Sequence, residues 1–508
     1  MAMLRLKQTS ESTKYVSTIR NVMRRSILDD LMEWKGRPDH KPAMIEGVRR
    51  CGKTWSVKEL GRTYPDCAYF DFEDDRSISC IFDRDLTVDR IVKELGIHRS
   101  KAIPEDCLIV LDGIQLCPRA MTSLKYFCED GRYDVVCAGS LPRASPMSAS
   151  PPVGKVEDFV MHPMSFEEFL HASGEGMLAD LVSDDPFDSS VESFHDRLIG
   201  CYREYLAVGG LPEAVLSWTT NHDPERVESI LRSLARRYSD DIARYGSGNI
   251  RTNGEAVWRS VPMQLARTNN RFVFGHVRKG VRARDIRPSV DWLERAGLVY
   301  AVPIAVDTEP PSPAASAFKL YCFDCGIMRV LADIPLGKAL SSPDGYGLYK
   351  GAITENYVMT ELRRMTPHRI FCWRSGNKAE VDFLTTFDSN PVPIEVKAGE
   401  RVRTQSLKVY LDSHIGTGVI ASLRPMSRTE RVLGIPLYEL WMLPRALDER
   451  GARVAPGGCF SGARTPWRRR RRPSSLSWRS LSSRAGPSRP SPRRRPSRSG
   501  PYEHLRRE

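Results

Sequence analysis

The stretch Gly47-Val48-Arg49-Arg50-Cys51-Gly52-Lys53-Thr54 decides the fold of the first part of this chain. It matches the phosphate-loop pattern G-x-x-x-x-G-K-[ST] at every fixed position, between a strand predicted at 43–46 and a helix predicted at 55–62. In that setting the glycines let backbone N–H groups curl around phosphate oxygens at the start of the helix. A chance glycine-rich turn fits the same letters, but the flanking strand and helix favour a nucleotide site.

The side chains of this loop suit ATP with Mg²⁺. Lys53 is predicted to reach the β- and γ-phosphates, and the Thr54 hydroxyl is predicted to bind Mg²⁺. Arg50 either adds positive charge beside the phosphates or is a solvated loop residue. Cys51 is expected to be an inert thiol. The predicted nucleotide-binding residues of the loop are Gly47, Arg50, Cys51, Gly52, Lys53 and Thr54.

Outward from the loop, short apolar runs alternate with helical patterns. This alternation predicts a parallel sheet with helices on both faces, an α/β fold. The run Cys-Leu-Ile-Val-Leu-Asp ends at Asp112, which would hold the second shell of the metal. Ser140 ends the next strand and is either a contact to the γ-phosphate or an ordinary turn serine. The predicted strands are 43–46, 67–72, 107–112 and 133–138, and the helices between them include 55–62, 88–95 and 119–129.

Three further regions follow along the chain. Residues 194–245 read as helical, interrupted by Gly-Gly-Leu-Pro at 209–212. Residues 255–323 give helices predicted to start at Pro262 and near Pro288, then two strands, which is the element order of a winged helix. A helix at 351–364 then precedes strands at 369–374, 380–387 and 392–397.

A second group of charged residues lies on the last two of these strands. Asp382 and Glu395 are symmetric about a hairpin turn at 387–390, so their side chains should lie opposite each other, about 5 Å apart. Lys397 shares a strand face with Glu395. Two carboxylates, with Glu355 of the preceding helix, could hold Mg²⁺, and Lys397 could act at a scissile phosphate or attacking water. The pattern resembles a PD-(D/E)XK nuclease core, although such spacings also arise by chance.

Charge and composition limit the classes of function. Residues 451–508 contain sixteen arginines and two acids, and removing them from the chain's 76 basic and 63 acidic residues leaves 60 and 61. A body with a net charge of −1 excludes a basic nucleic-acid-coating protein. The Arg-Ser-Pro tail is predicted to be disordered, and it is either a nucleic-acid-binding arm or an out-of-frame reading of GC-rich DNA. The twelve scattered cysteines and the lack of a long apolar run predict a cytoplasmic protein without a membrane partner.

Several segments in order resemble one family of prokaryotic ATP-binding proteins, which join an AAA-type P-loop domain to a C-terminal domain with a nuclease-like core. They are LMEWK (31–35), IEGVRRCGKT (45–54), YFDF (69–72), AGSL (138–141), HPMSFEEFL (162–170), GGLPEAV (209–215), KLY (319–321), DCG (324–326) and EVDF (380–383). The resemblance implies that the turn at 210–212 touches the nucleotide, although a plain helix-breaking turn also explains these residues. It also implies a Glu after Asp112 to orient the attacking water, but Gly113 stands there, so we expect ATP binding with slow hydrolysis.

Together these patterns predict an AAA-type P-loop domain at 15–175, a helical lid at 176–250, a winged helix at 251–325, a PD-(D/E)XK-like α/β domain at 326–445 and a disordered tail at 446–508. Three functions compete. The first is an ATP-dependent switch or weak ATPase acting on DNA or a protein partner. The second is an ATP-gated, Mg²⁺-dependent nuclease. The candidate catalytic residues are Asp112 at the ATP site and Lys397 at the nuclease-like site. The third is a nucleotide-bound interaction protein without enzymatic activity.

Overall fold

The structure is a computed structural model, and it describes residues 23–140, 152–306, 317–342, 344–376, 379–399 and 404–453. The sequence predicts a disordered tail at 446–508. Residues 454–508 of it lie outside the described residues. Residues 446–453 differ from the prediction, because they belong to a helix that spans Leu443–Arg453.

The N-terminal region is built on a parallel sheet of five strands in the order β2-β3-β4-β1-β5. All six residues of β3 are buried. Leu108 and Val110 pack into one apolar cluster, whereas Ile109 and Leu111 pack into another on the opposite face. The prediction of a parallel sheet covered on both faces is therefore confirmed. The strands are β1 (Ala43–Gly47), β2 (Asp66–Asp71), β3 (Cys107–Asp112), β4 (Val135–Gly139) and β5 (Glu157–Met161).

Five helices accompany these strands. Because parallel strands end at the same sheet edge, the residues after β1, β3 and β4 come together there. The helices are α1 (Ile27–Gly36), α2 (Lys53–Gly61), α3 (Ser79–Phe82), α4 (Val88–His98) and α5 (Pro118–Asp130), and short 3-10 turns span Arg76–Ile78 and Ile114–Leu116.

A helical region follows the first sheet. Its first helix, α6, opens with a capping box in which the Ser165 hydroxyl accepts from the Glu168 amide and the Glu168 carboxylate accepts from the Ser165 amide. The helices are α6 (Phe166–Ala172), α7 (Gly176–Asp184), α8 (His195–Val208), α9 (Pro212–Asn221) and α10 (Pro224–Tyr245), with a 3-10 turn at Ser189–Phe194.

The next two helices and two strands have the order predicted for a winged helix. They are α11 (Asn249–Leu265), α12 (Ala283–Arg295), β6 (Val299–Val306) and β7 (Phe318–Cys322), with a 3-10 turn at Phe274–His276. The prediction that prolines start the helices is wrong, because Pro262 and Pro288 lie inside α11 and α12. The predicted loop between the strands lies outside the described residues at 307–316.

The C-terminal region is built on a mixed sheet of eight strands in the order β12-β13-β11-β10-β9-β8-β6-β7. β6 pairs with β7 on one side and, in parallel, with β8 on the other. The two-stranded ribbon of the predicted winged helix is therefore part of the C-terminal sheet. The further strands are β8 (Phe371–Ser375), β9 (Ala379–Phe387), β10 (Asn390–Val396), β11 (Gly418–Ser422), β12 (Ser427–Arg428) and β13 (Val432–Pro436).

The helices of this region complete the fold. They are α13 (Cys325–Leu331), α14 (Leu336–Ser341), α15 (Lys350–Met365), α16 (Gln405–Ser413) and α17 (Leu443–Arg453), with 3-10 turns at Gly347–Tyr349 and Leu437–Met442. Every helix in the described ranges is too short or too polar to cross a bilayer.

Candidate functional site

The predicted phosphate loop connects β1 to α2. Gly52 precedes the helix with φ +106°, a left-handed conformation that glycine adopts without strain. A Cβ on Gly47 would lie 2.3 Å from the Met161 carbonyl oxygen, so only glycine fits beside β5. The strand, loop and helix therefore stand in the order that phosphate binding requires.

Lys53 is buried and its ammonium group is held inside the loop. Its Nζ donates to the carbonyl oxygens of Gly47 at 2.9 Å and Val48 at 2.8 Å. A charge-assisted bond to phosphate is stronger than one to a neutral carbonyl. The lysine is thus already positioned at the loop, with partners that a phosphate could replace.

Thr54 and Asp112 meet at the same sheet edge. The Thr54 hydroxyl donates to Asp112 Oδ2 at 2.7 Å, and the Tyr69 hydroxyl donates to the same oxygen at 2.8 Å. A hydroxyl and a carboxylate are hard oxygen donors, so this pair fits Mg²⁺. Thr54 and Asp112 are both predicted from the sequence, but Tyr69 is not. The one sequence feature that could have indicated Tyr69 is its place in the YFDF segment.

Gly113 and Ser140 complete this edge. Gly113 precedes a short 3-10 turn and has φ +70°, a left-handed conformation that residues with a side chain rarely adopt. Ser140 directly follows β4, and its amide donates to Gln115 Oε1 at 3.3 Å. Ser140, the candidate contact to the γ-phosphate, therefore lies beside Gln115, the first polar side chain after Asp112.

Arg49 and Arg50 border a cavity of about 270 Å³ between the loop and α10. Arg49 donates to Asp241 at 3.0 Å and to Glu73 at 3.2 Å, and Arg50 lies 3.8 Å from Glu213. Burial opposes the charge of Arg49, but the two acids together raise its pKa. The lining is mostly charged and consists of Arg49, Arg50, Leu234, Arg237, Tyr238, Asp240, Asp241 and Arg244.

A buried arginine that no sequence pattern singles out supports the phosphate loop through hydrogen bonds. Arg25 donates to the Cys51 carbonyl at 2.5 Å, to the His162 carbonyl at 2.6 Å and to Glu168 at 3.1 Å. It links the phosphate loop to the capping box of α6. No pattern near Arg25 in the sequence indicates this role, because its partners lie 26 to 143 residues away.

The turn at 209–212 lies between the phosphate loop and the C-terminal region. The Gly210 amide donates to Asp324 Oδ2 at 2.7 Å, and the Gly210 carbonyl accepts from the Met164 amide at 2.6 Å. A Cβ on Gly52 would lie 3.6 Å from Cγ of Pro212. The turn therefore binds Asp324, the residue that caps α13, and its Pro212 lies near Gly52 of the phosphate loop.

In the C-terminal sheet, the predicted hairpin has the predicted register. β9 and β10 are antiparallel, and Phe383 pairs with Ile394. The next step of the same register places Asp382 opposite Glu395. The Val396 amide donates to Asp382 Oδ2 at 2.8 Å. Lys397 Nζ lies 2.5 Å from Glu395 Oε1, so these two side chains share a face.

A lysine that the sequence reasoning missed lies among the acids. Lys319 of β7 has no exposed side-chain surface, and its Nζ is 2.8 Å from Glu355, 2.9 Å from Glu380 and 3.8 Å from Asp382. The Tyr321 hydroxyl donates to the same Glu355 oxygen at 2.5 Å. We name Lys319, Glu355, Glu380, Asp382, Glu395 and Lys397 the acidic cluster. An ammonium group lies where the sequence predicted Mg²⁺.

The ionisation of the acidic cluster reflects its burial. Burial, together with the nearby Glu355, raises the pKa of Asp382 to about 8, although Lys319 acts in the opposite direction. Burial also raises the pKa of Glu395 against the opposing effect of Lys397. Within the described ranges, no group of three or more His, Cys, Asp or Glu side chains is arranged to hold a metal ion.

Comparison with known proteins assigns the N-terminal region. Residues 39–170 match a family model described as an AAA domain, so this region is similar to AAA domains. Residues 200–337 and 350–440 match two models that are each described as a domain of unknown function, DUF8612 and DUF4143. The chain has no significant match among curated proteins.

Solved structures similar to this chain are distant. A Walker-type ATPase of Pyrococcus abyssi is 11% identical with a TM-score of 0.39, covering 62% of this chain and 97% of its own. The ORC2 protein of Aeropyrum pernix, in ADPNP–ADP complexes, is 14% identical with a TM-score of 0.30, covering 65% and 94%. The ORC1 protein of A. pernix, in complex with DNA, is 15% identical with a TM-score of 0.25, covering 61% and 92%. Scores this low do not establish a shared arrangement of domains.

Proposed function

We propose that this protein binds ATP with Mg²⁺ at the phosphate loop and acts as an ATP-dependent switch or weak ATPase. The observation that carries the proposal is the meeting of Lys53, Thr54 and Asp112 at one sheet edge within an AAA domain. Lys53 would exchange its carbonyl partners for phosphate oxygens. Thr54 would bind the metal directly, and Asp112 would hold a water of its shell.

The switch would act through the turn at 209–212. Pro212 of this turn lies near Gly52 of the phosphate loop, and the Gly210 amide donates to Asp324. A nucleotide that moves the turn would therefore disturb the hydrogen bond to Asp324 and the start of α13. DNA and a protein partner are both proposed targets of the C-terminal region, and the winged helix stays a prediction.

The acidic cluster supports a second candidate, an ATP-gated nuclease. Helix α15, strands β8–β10, helix α16 and strand β11 follow in the order that a PD-(D/E)XK core requires, and the pairing of β9 with β10 brings Asp382 and Glu395 together. Lys319 weighs against it, because its ammonium is already paired with Glu355 and lies 3.8 Å from Asp382, where a metal would have to bind. The cluster therefore favours the third function, an interaction module, for this region.

Equilibrium binding of a fluorescent ATP analogue with Mg²⁺ tests the ATP site. We expect Lys53→Ala to weaken binding by about tenfold or more, because it removes a charge-assisted contact to phosphate. Lys93→Ala, at an exposed position on α4, should bind like the parent protein. Equal affinity in all three proteins, with circular dichroism showing intact folds, would remove the basis for an ATP-dependent function.

A further inference from the structure

A glutamate in the turn after β2 lies beside the position where Gly113 leaves a gap. A Cβ placed on Gly113 would be 3.5 Å from Cγ of Glu73 and 3.5 Å from its backbone nitrogen. A glutamate at 113 would carry its carboxylate two bonds beyond that Cβ, and Glu73 carries its carboxylate one bond beyond its own Cγ. The two side chains would therefore reach into overlapping space.

The end of β2 holds Glu73 in this place. β2 and β3 pair with Asp71 opposite Asp112. Asp71 Oδ1 accepts from the Glu73 amide at 2.8 Å, which turns the chain towards β3. The Tyr69 hydroxyl contacts Asp71 Oδ2 at 3.3 Å and Asp112 Oδ2 at 2.8 Å, tying the two strand ends together.

Of the three acids at this edge, Glu73 is the one whose carboxylate accepts no hydrogen bond from Thr54, Tyr69 or its own segment. Both oxygens of Asp71 accept hydrogen bonds from its own segment, and Asp112 is held by Thr54 and Tyr69. The Glu73 side chain is 47% exposed, and its partner is Arg49 of the phosphate loop at 3.2 Å. It can therefore accept a proton from a water molecule on the open side of the loop.

We propose that Glu73 is the catalytic base for ATP hydrolysis and replaces the carboxylate missing at Gly113. This proposal rests on the proposed ATP site and goes beyond it by assigning the residue that activates water. The Glu73 carboxylate takes one proton from water while the water oxygen bonds to the γ-phosphorus. The bond from that phosphorus to the β,γ-bridging oxygen breaks, and its electron pair stays with ADP. Glu73 then returns the proton to solvent.

Steady-state phosphate release from saturating Mg·ATP tests the role with the full chain. We expect Glu73→Gln to lower turnover by about 100-fold, the usual contribution of a general base. ATP affinity should stay within about twofold, because the phosphate contacts are untouched. Asp74→Asn is the matched control, since it removes an exposed carboxylate from the next residue, and its turnover should equal that of the parent.

Two further measurements separate catalysis from support of Arg49. Mg·ADP with aluminium fluoride mimics the transferring phosphoryl group together with its water. It should raise the melting temperature above that with Mg·ADP alone in the parent but not in Glu73→Gln. In an Arg49→Gln background the Glu73→Gln change should still reduce turnover, because the base acts on water and not through the arginine.

The outcomes are distinguishable from failure of the ATP site itself. If the parent binds ATP but releases no phosphate, or if Glu73→Gln turns over within about twofold of the parent, Glu73 is not the base. Loss of the effect in the Arg49→Gln background would reduce Glu73 to a partner of that arginine. Absence of ATP binding in the parent would instead overturn the proposed function.

Discussion

The phosphate loop and the acidic cluster both contain a buried lysine, but only the lysine of the acidic cluster is paired with acidic side chains. At the loop, Lys53 is held by neutral carbonyls and Glu73 is half exposed beside Arg49. In the cluster, Lys319 has no exposed surface and lies within 3.8 Å of three carboxylates. The first site has cationic groups that phosphate can engage, whereas the second already contains its own cation. A charged motif indicates a ligand site only when its counter-charge is not supplied by the chain.

Removal of Lys319 should give the largest effect. Lys319→Met keeps most of the side-chain length but leaves Glu355 and Glu380 without their ammonium and removes the cation beside Asp382. We expect the C-terminal region to lose about 3–5 kcal/mol, as for other broken buried ion pairs. Hydrogen exchange measured by mass spectrometry on peptides from β7, β9 and β10 reports this loss locally.

The exposed Lys408 on α16 gives a matched control, because Lys408→Met removes the same charge from the surface. Its exchange should match that of the parent. Adding Mg²⁺ tests the nuclease alternative in the same experiment. If Lys319→Met is as protected as the parent without metal, the ammonium is not needed. If Mg²⁺ stabilises the parent itself, the cluster is a metal site despite Lys319.

The pH dependence of stability should expose the second difference between the sites. The pKa of Asp382 is raised to about 8, mainly by burial, so the folded state binds its proton more tightly than the unfolded state. The resulting stability is present below about pH 4 and is lost as pH rises through 8. Asp382→Asn cannot ionise, and its side-chain oxygen can still accept from the Val396 amide. Relative to the parent, this variant should gain about 1–3 kcal/mol between pH 5 and pH 9.

Thermal unfolding at several pH values measures this gain. Asp388→Asn makes the same substitution at the exposed turn of the same hairpin, so its difference from the parent should not change with pH. Parallel curves for Asp382→Asn and the parent would show that Asp382 is already ionised in the folded protein, fully compensated by Lys319.

Local patterns predicted backbone placement well at both sites. The strand end at Asp112, the loop at 47–54 and the hairpin register of Asp382 and Glu395 all follow from periods and spacings within about 15 residues. Pro288 shows the limit even for local signals, since α12 begins at Ala283 and continues through it. Capping and burial of the helix outweighed the missing amide hydrogen.

The residues that the sequence did not reveal are partners from distant parts of the chain. Lys319 of β7 reaches Glu355 on helix α15 and Glu380 on β9, and Arg25 reaches Glu168 across 143 residues. Neither hydrophobic periodicity nor residue spacing indicates which distant side chain pairs with a buried charge. The predicted Mg²⁺ in the cluster depended on that unseen partner, whereas the P-loop prediction did not.

The smallest expected effect concerns Gly113, and it tests how open the loop site is. At φ +70° an alanine costs about 1 kcal/mol in backbone strain. The nearest atoms to its Cβ would lie at 3.5 Å, an ordinary contact, so no steric cost is added. Asparagine tolerates the left-handed conformation better, so Gly113→Asn should be closer to the parent than Gly113→Ala in thermal unfolding. Gly210→Ala offers the contrast, because its Cβ would lie 2.2 Å from the Met164 carbonyl oxygen. A loss at Gly113→Ala as large as at Gly210→Ala would mean that the space beside Asp112 is closed, and that Glu73 could not move within it to meet a water.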